Sequence, residues 1–186
     1  MPTSSRLRLE LQQRLLDIDT RYTHHLRIAE QPGAMRNLAV LLAHSGDSWF
    51  WLLGLLILWW FGSETWKWRA LVMFSTILVT AALVMAIKFT VRRRRPEGEW
   101  GQIYRKTDPH SFPSGHAARA AMLAVLALGL GPVWFSTVLL IWAPLVTLAR
   151  VAMGLHYLSD VVAGALLGIL IGLLTLILLP QIASLV

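Results

Sequence analysis

The chain has 186 residues, of which 56% are hydrophobic and only 15% are charged, and this balance is far more apolar than that of a soluble domain of similar size. It contains no cysteine, which excludes disulfide frameworks, thiolate metal sites and cysteine nucleophiles. The formal net charge is +7, and part of it is the basic block 92–95 at the edge of a hydrophobic segment, where anionic lipid headgroups are a better partner than nucleic acid.

The first predicted element is a charged segment, residues 1–36, in which leucines and isoleucines are interleaved with arginines and acids. Its apolar face fits a helix that lies in the membrane interface or against a bundle, and its charge argues against a cleaved signal peptide. A solvated helix without a role in chemistry is an equal alternative. We therefore divide the chain into an N-terminal amphipathic interfacial segment, residues 1–36, and a membrane-embedded domain, residues 37–186.

Hydrophobic runs in the second segment predict an all-α integral membrane bundle of about five transmembrane helices. Turn residues at 44–48 mark the start of the first span. The expected spans are residues 49–62, 69–88, 117–130, 133–149 and 161–179. In the last span a small-residue stripe allows close packing of another helix or a homo-oligomer. The stripe consists of Gly164, Gly168 and Gly172.

A long polar stretch, residues 92–112, joins the second and third spans, and a loop of this length usually has a function. The second span ends at Lys88, the third begins near His116, and the fourth returns to end near Arg150. Three polar strings therefore share one membrane face, where they can form a single site. The strings are Lys88 with Arg95-Pro96, Pro113-Ser114-Gly115-His116, and Arg150 with His156 and Asp160.

The first string supplies two cations. Lys88 and Arg95 are seven residues apart, two turns of a continuous helix, so both can grip one anion. Arginine offers a planar fork to phosphate oxygens and lysine a compact charge. Pro96 biases Arg95 away from helical backbone and turns it toward the loop. The alternative is contact with lipid headgroups, which we favour for the neighbouring arginines, residues 92–94.

The second string combines a phosphate-binding turn with a histidine. A proline, a serine and a glycine precede an alanine-rich helix, and the free backbone N–H groups at such a helix start bind phosphate. Ser114 can add its hydroxyl, and Gly115 lets the backbone come close. His116 is placed to exchange a proton with a leaving oxygen.

The third string supplies a nucleophile and its support. Asp160 follows His156 by four residues and can hold one ring nitrogen, which fixes the tautomer. The other nitrogen is then free to attack. Arg150 adds a third cation to the site. Three histidines elsewhere have no assigned role: His24, His25 and His44.

Written as patterns, the strings are K-x6-R-P, P-S-G-H and R-x5-H-x3-D, in this order. Together they closely resemble the signature of the type 2 phosphatidic acid phosphatase superfamily, and the resemblance covers about residues 36–179. One position departs from the pattern, because the serine that commonly precedes the arginine of the third string is Ala149 here. This change puts in doubt a supporting hydrogen bond and not the reaction.

The resemblance implies a membrane phosphatase that hydrolyses a lipid phosphate or diphosphate through a phosphohistidine. His156 would attack phosphorus, Asp160 would orient it, and His116 would protonate the leaving oxygen and then activate water. The phosphoryl oxygens would be held by Lys88, Arg95, Ser114, Gly115 and Arg150. No metal and no cofactor are implied, and three fixed cations supply the charge that divalent ions provide in other phosphatases.

Bacterial members that this chain resembles in size act on undecaprenyl diphosphate, phosphatidylglycerophosphate or phosphatidic acid, and we favour the first. The expected location is the bacterial inner membrane, with the site on the cytoplasmic face by the positive-inside rule. A transporter or a non-catalytic membrane scaffold is the alternative from another class. A transporter would distribute its charges through membrane depth, whereas a scaffold would bind partners or lipids through the glycine stripe and the basic block.

Overall fold

The computed structural model describes residues 4–98 and 100–183, so the outer ends of both predicted segments, residues 1–3 and 184–186, lie outside the described residues, as does residue 99 of the polar stretch. The described part of the chain is helical and contains no strand. Its helices are α1 (Ser4–His25), α2 (Ala34–Ser45), α3 (Ser48–Phe61), α4 (Glu64–Val91), α5 (Gln102–Thr107), α6 (Gly115–Leu130), α7 (Val133–Ala152) and α8 (Leu158–Ala183).

Helices α3, α4, α6, α7 and α8 cover the five predicted spans, but they differ in length. Among the described residues, α4, α7 and the stretch Leu158–Pro180 of α8 are each long and apolar enough to cross a membrane. Helices α2 and α3 qualify only as a pair, bent by 58° at the break between them. Helix α6 has 16 residues and is about 24 Å long, less than the roughly 30 Å of hydrocarbon. The all-helical membrane bundle is confirmed, and three or four of its expected spans meet this criterion of length and composition.

Helix α6 is the centre of the bundle. It contacts α4, α7 and α8. Most of its side chains are buried, and many of them are alanines. The buried alanines are Ala117, Ala118, Ala120, Ala121, Ala124 and Ala127. Such small side chains let the backbones of neighbouring helices approach closely.

The glycine stripe of α8 packs against α6. A Cβ atom at Gly164 would collide with the carbonyl oxygen of Ser114, one at Gly168 would collide with that of Ala118, and one at Gly172 would lie 2.8 Å from a valine of α6. The stripe is therefore a helix contact within the chain, and a second copy has no access to it while α6 lies there. This geometry agrees with the first use expected for the stripe, close packing of another helix.

One end of the bundle collects the polar strings. Helices α3, α6 and α8 begin there, α4 and α7 finish there, and α1, α2 and the loop with α5 pack over it. The backbone N–H of Leu158 donates to Thr23 Oγ1 at 3.0 Å, and that of Ser159 donates to Asp19 Oδ1 at 3.0 Å. Side chains of α1 thus cap the first turn of α8.

The N-terminal helix α1 lies against the bundle through these caps, which is one of the two placements expected for it. Away from the bundle it exposes Leu11, Ile18 and Tyr22, an apolar surface suited to a membrane interface. The boundary that we predicted between residues 36 and 37 falls inside α2. Because Ala39 and Ala43 are buried in a cluster with the end of α7, α2 is part of the bundle.

Candidate active site

A pocket of about 140 Å³ opens at the polar end of the bundle. Six of the eight predicted site residues line it: Lys88, Arg95, Gly115, His116, Arg150 and His156. The other two, Ser114 and Asp160, are fully buried and lie outside the lining. Side chains of α4, including Thr80, Ala81 and Met85, form a wall that leads from the cations toward the membrane interior.

Arg150, near the end of α7, is fully buried and incompletely paired. Its Nη1 group donates to the carbonyl oxygen of Ala43 at 3.3 Å, and its guanidinium carbon lies 4.6 Å from the centre of the Tyr104 ring. Its Nε and Nη2 groups have no hydrogen-bond partner among the described residues. Because buried donors nearly always have acceptors, this side chain is prepared for an anion in the pocket.

Lys88 and Arg95 meet at Asp108, a residue that we did not predict in the site. Both side chains donate to its carboxylate, Arg95 from Nη2 at 2.8 Å, and Arg95 Nε also donates to the Asp108 carbonyl oxygen at 2.7 Å. The two cations do not share one helix, because α4 ends at Val91 and Arg92 has a left-handed φ of 52°, and Arg95 lies in the loop as Pro96 predicted. Burial lowers the pKa of Arg95, and the Asp108 charge opposes this shift.

His156 lies in the turn between α7 and α8, fully enclosed. Its Nδ1 is 2.9 Å from the carbonyl oxygen of Ser111, and its Nε2 is 3.0 Å from Arg95 Nη1. A carbonyl only accepts and a guanidinium only donates, so Nδ1 carries the hydrogen and Nε2 carries the lone pair. Burial, together with the charges of Arg95, Arg150 and Lys88, holds the pKa of His156 well below its usual value. The imidazole is therefore neutral and nucleophilic.

Asp160 does not make the hydrogen bond to His156 that the spacing predicts. Its Oδ2 lies 3.6 Å from His156 Nδ1 and accepts instead from the backbone N–H of Tyr157 at 2.9 Å. Helix α8 begins only at Leu158, so His156 is not on the helix, and the carboxylate turns back to cap the first turn. The Ser111 carbonyl fixes the tautomer, and Asp160 adds a nearby negative charge.

Arg93 corrects our prediction of headgroup contact for the arginines 92–94. It donates from Nη1 to Asp160 Oδ1 at 2.8 Å and from Nη2 to Asp19 Oδ2 at 2.7 Å. Its guanidinium carbon lies 4.0 Å from the centre of the Tyr157 ring. The N-terminal helix is thus linked through Arg93 to the carboxylate beside His156. Nothing in a run of four arginines distinguishes this one.

Ser114 and Gly115 form the start of α6. The Ser114 oxygen accepts from the backbone N–H of Ala117 at 3.4 Å as the N-cap, and the Ser114 N–H donates to the Asp160 carbonyl oxygen at 2.9 Å. Ser114 therefore joins α6 to α8. Gly115 lines the pocket, and a Cβ there would meet only Val84 at an ordinary 3.4 Å. Its missing side chain leaves room in the pocket and is not required by helix packing.

His116 is paired with a carboxylate that our sequence analysis missed. Its Nε2 lies 2.7 Å from Oδ1 of Asp47, which follows α2 in the break before α3. Asp47 also accepts from the Tyr104 hydroxyl at 3.0 Å. Burial raises the pKa of Asp47, but the hydrogen bond and charge of His116 and the hydrogen bonds from His44 and Tyr104 together outweigh burial, so the pKa is lowered overall. Asp47 directly precedes α3 but makes no side-chain cap bond to it.

Within residues 4–98 and 100–183, no group of three or more histidine, aspartate or glutamate side chains is arranged to hold a metal ion. Fixed cations are instead the main charges in the pocket, which suits a phosphate whose charge they can balance.

Comparison with known proteins identifies the family. The model of the PAP2 superfamily matches residues 69–183, a range that contains all three strings. A lipid A 1-phosphatase of Rhizobium etli is 31% identical over 173 residues, which cover 80% of this chain and 73% of that protein. An undecaprenyl-diphosphatase of Sulfolobus acidocaldarius is 43% identical over 63 residues, 34% of this chain and 31% of the relative. Another lipid A 1-phosphatase, of Porphyromonas gingivalis, is 35% identical over 107 residues, and the match spans only 22% of its length.

Solved structures share the fold. A PAP2-type phosphatidylglycerolphosphate phosphatase from Bacillus subtilis superimposes with a TM-score of 0.71 and 24% identity, covering 87% of this chain and 84% of that chain. LpxE of Aquifex aeolicus gives a TM-score of 0.64 and 24% identity, with 80% and 90% covered. At this identity the likeness supports the fold alone. Together with the family match, it shows that the chain is a membrane protein of the PAP2 superfamily, whose members are phosphatases.

Proposed function

We propose that the chain hydrolyses the terminal phosphate of a membrane lipid phosphate or diphosphate through a phosphohistidine. The observation that carries the proposal is the pair of buried donors on Arg150 that have no partner among the described residues, on a residue that lines the same pocket as His156. A phosphoryl group would give these donors their acceptors. It would also bring phosphorus to the lone pair on His156 Nε2.

The reaction takes two steps. In the first, His156 Nε2 attacks phosphorus, the bond from phosphorus to the lipid oxygen breaks, and that oxygen takes a proton from His116. In the second, His116 takes a proton from water, the water oxygen attacks phosphorus, and the phosphorus–nitrogen bond breaks to release inorganic phosphate. Asp160 supports the positive charge that develops on the imidazole of His156, at a distance of 3.6 Å.

The cations hold the transferred group. Lys88, Arg95, Arg150 and the backbone N–H of Gly115 bind its oxygens, while Ser114 supports the turn as the cap of α6. Without substrate, the carboxylate of Asp108 lies between Lys88 and Arg95, where a phosphate would also bind. When substrate binds, its phosphate therefore replaces the Asp108 carboxylate as the partner of Lys88 and Arg95. The two buried cations always have an anionic partner, and this avoids the high cost of an unpaired buried charge.

We expect the reaction to need no metal ion. The three buried cations supply the charge that divalent ions provide in metal-dependent phosphatases. Purified protein treated with excess EDTA and assayed in metal-free buffer should keep its rate of phosphate release within about 20% of the untreated rate, the scatter of such assays. Loss of turnover on chelation, restored by a divalent cation, would contradict the expectation.

Replacement of Gly115 by alanine should impair phosphate binding in the pocket without disturbing the packing of the helices. A Cβ there meets only Val84 at 3.4 Å, so the variant should fold with an unchanged melting temperature, but its methyl group intrudes where phosphate binds. We expect kcat/KM to fall by about 10-fold to 100-fold, since small displacements of a bound phosphate are costly.

The matched control for that variant is Gly164→Ala, at the contact of α8 with the start of α6. Its Cβ would collide with the Ser114 carbonyl oxygen, so this variant should melt at a lower temperature. Thermal unfolding and phosphate release, measured in one detergent on both variants, test the contrast. Equal melting temperatures would show that the two glycines do not differ in this way.

The lipid itself is proposed from the relatives. An undecaprenyl-diphosphatase and two lipid A 1-phosphatases are among them, and we favour undecaprenyl diphosphate, with phosphatidylglycerophosphate and phosphatidic acid as alternatives. Phosphate release from a panel of these lipids and lipid A, at equal mole fraction in detergent micelles, tests the choice. Undecaprenyl diphosphate should give the highest kcat/KM, and a higher value for another member would replace it.

We place the chain in the bacterial inner membrane with its pocket on the cytoplasmic face. Support comes from α1, which packs at the same end of the bundle as the pocket, and from the basic block beside it, as the positive-inside rule requires. A protease site inserted before α1 should be cut only in inverted membrane vesicles. Cleavage in intact spheroplasts would place the pocket on the outer face.

A transporter or a scaffold is the rival from another class. The charges of the polar strings gather at one end of the bundle and do not line a path through it, which favours an enzyme over a transporter. The glycine stripe is covered by α6, which removes one of the two surfaces that a scaffold would use. Either rival predicts equal phosphate release from the wild-type protein and a variant without His156.

A further inference from the structure

The break between α2 and α3 places the carboxylate of Asp47 next to His116, the proposed proton-transferring histidine. Asp47 Oδ1 lies 2.7 Å from His116 Nε2, and both side chains are nearly buried. Since a carboxylate only accepts, Nε2 carries a hydrogen that points to Asp47. The other ring nitrogen, Nδ1, is then the one left to exchange a proton in the pocket that His116 lines.

Arg119 holds the residues on both sides of Asp47, Gly46 by its backbone and Ser48 by its side chain. It lies on α6, three residues after His116, and is buried. Its Nε donates to the Gly46 carbonyl oxygen at 3.0 Å, and its Nη1 donates to Ser48 Oγ at 2.5 Å. The helix that carries His116 therefore also holds the residues before and after Asp47. These hydrogen bonds keep Asp47 next to His116.

Charge makes this contact important for proton transfer. Burial lowers the pKa of His116, and the charges of Arg150 and Arg119 lower it further. Asp47 is the carboxylate in contact with the imidazole and opposes them, while the Tyr104 hydroxyl holds Asp47 from the other side at 3.0 Å. A general acid surrounded by phosphate-binding cations needs such a counter-charge, because it must be protonated when the leaving oxygen departs.

We propose that Asp47 is the positioning residue of His116, which keeps the imidazole oriented and able to carry the proton to the leaving oxygen. The inference rests on the proposed function, because it takes His116 as the general acid of the first step. Asp47 acts through His116 and does not touch the phosphate. The relation is that of a buried carboxylate to a histidine in hydrolase triads, where the carboxylate holds the tautomer and stabilises the imidazolium.

Leaving groups of different basicity test this role. An alkoxide needs a proton as it departs, whereas p-nitrophenolate departs without one. For Asp47→Asn we expect kcat/KM, which reports the first step, to fall by about 100-fold with decyl phosphate and by less than about fivefold with p-nitrophenyl phosphate. Glu64→Gln removes a carboxylate at the opposite end of the bundle and should leave both values unchanged.

A second variant covers the case in which Asp47→Asn does not fold. Asp47→Ala vacates the carboxylate, and added formate can return one to His116. We expect formate to raise kcat/KM of this variant at least about tenfold for decyl phosphate, within the range of general acid catalysis, and not for p-nitrophenyl phosphate. Formate should have no such effect on the wild-type protein.

The outcomes separate the two proposals. Equal losses with both esters in Asp47→Asn, or no selective gain from formate in Asp47→Ala, would overturn the positioning role and leave phosphatase activity standing. A wild-type protein that releases phosphate from neither ester nor any lipid of the panel would overturn the proposed function and this role with it. Selective loss with decyl phosphate and its recovery by formate support both.

Discussion

His156→Asn should lower kcat for lipid phosphate hydrolysis by at least about 10⁴-fold, since loss of a nucleophile removes the covalent route altogether. Asparagine retains an amide N–H near the position of Nδ1, so the bond to the Ser111 carbonyl, 2.9 Å long in the native protein, can persist. The group that is lost is Nε2, whose lone pair lies beside Arg95. The defect should therefore be chemical and not structural.

Two measurements check this expectation. Phosphate release by purified protein gives kcat, and brief incubation with ³²P-labelled lipid followed by denaturation in alkali should retain label on the wild-type chain only. His24→Asn on α1, outside the pocket lining, is the matched control and should keep full activity and labelling. A His156→Asn variant that keeps a tenth or more of the wild-type rate would show that another group attacks phosphorus.

The sequence predicted the centre of the site because its residues are held locally. Gly115 and His116 follow the cap of α6, and His156 lies in the turn before α8, so a few residues of sequence decide each position. Spacing and span order were then enough to bring the strings to one end. The same reasoning failed for the Asp160–His156 bond, because His156 Nδ1 pairs with the Ser111 carbonyl oxygen and the Asp160 carboxylate accepts from the Tyr157 N–H.

The partners that the sequence did not show come from far along the chain. Asp47 and His116 are separated by 69 positions, and Arg93 and Asp19 by 74. Which arginine of a basic block turns inward depends on how the helix before it ends, here by the left-handed Arg92. Such contacts are set by tertiary packing, and local composition does not distinguish them from ordinary turns and headgroup contacts.

Hydropathy also did not predict which apolar helices are long enough to cross a membrane, for a related reason. Hydropathy shows that a segment is apolar, but it does not separate a helix enclosed by its neighbours from one that faces lipid. Helix α6 is apolar and mostly buried among other helices, and at 16 residues it has the composition of a span without the length. The bend of 58° between α2 and α3 occurs at the short turn that contains Asp47.

Arg150→Met should separate catalysis from stability more sharply than any other change. Methionine fills much of the arginine's volume but removes two donors that have no partner in the described part of the chain. We expect kcat/KM to fall by about 10³-fold, because transition-state charge loses a fixed, buried cation. The melting temperature should stay the same or rise, since a buried and poorly paired charge is a cost that an apolar side chain lacks.

Arg119→Met is the matched control for that expectation. Arg119 is also a buried arginine that lines the pocket, but it donates to the Gly46 carbonyl oxygen and to Ser48 Oγ, so its loss leaves acceptors unpaired and should lower the melting temperature. Inorganic phosphate should raise the melting temperature of the wild-type protein and not that of Arg150→Met. Two results would contradict this expectation. Either Arg150→Met and Arg119→Met lower the melting temperature by the same amount, or phosphate stabilises Arg150→Met as well as Arg119→Met. In both cases Arg150 would not be the group that binds an anion in this pocket. The two buried arginines would then differ only in how they pack. The donors on Arg150 that have no partner among the described residues would no longer support the phosphatase proposal.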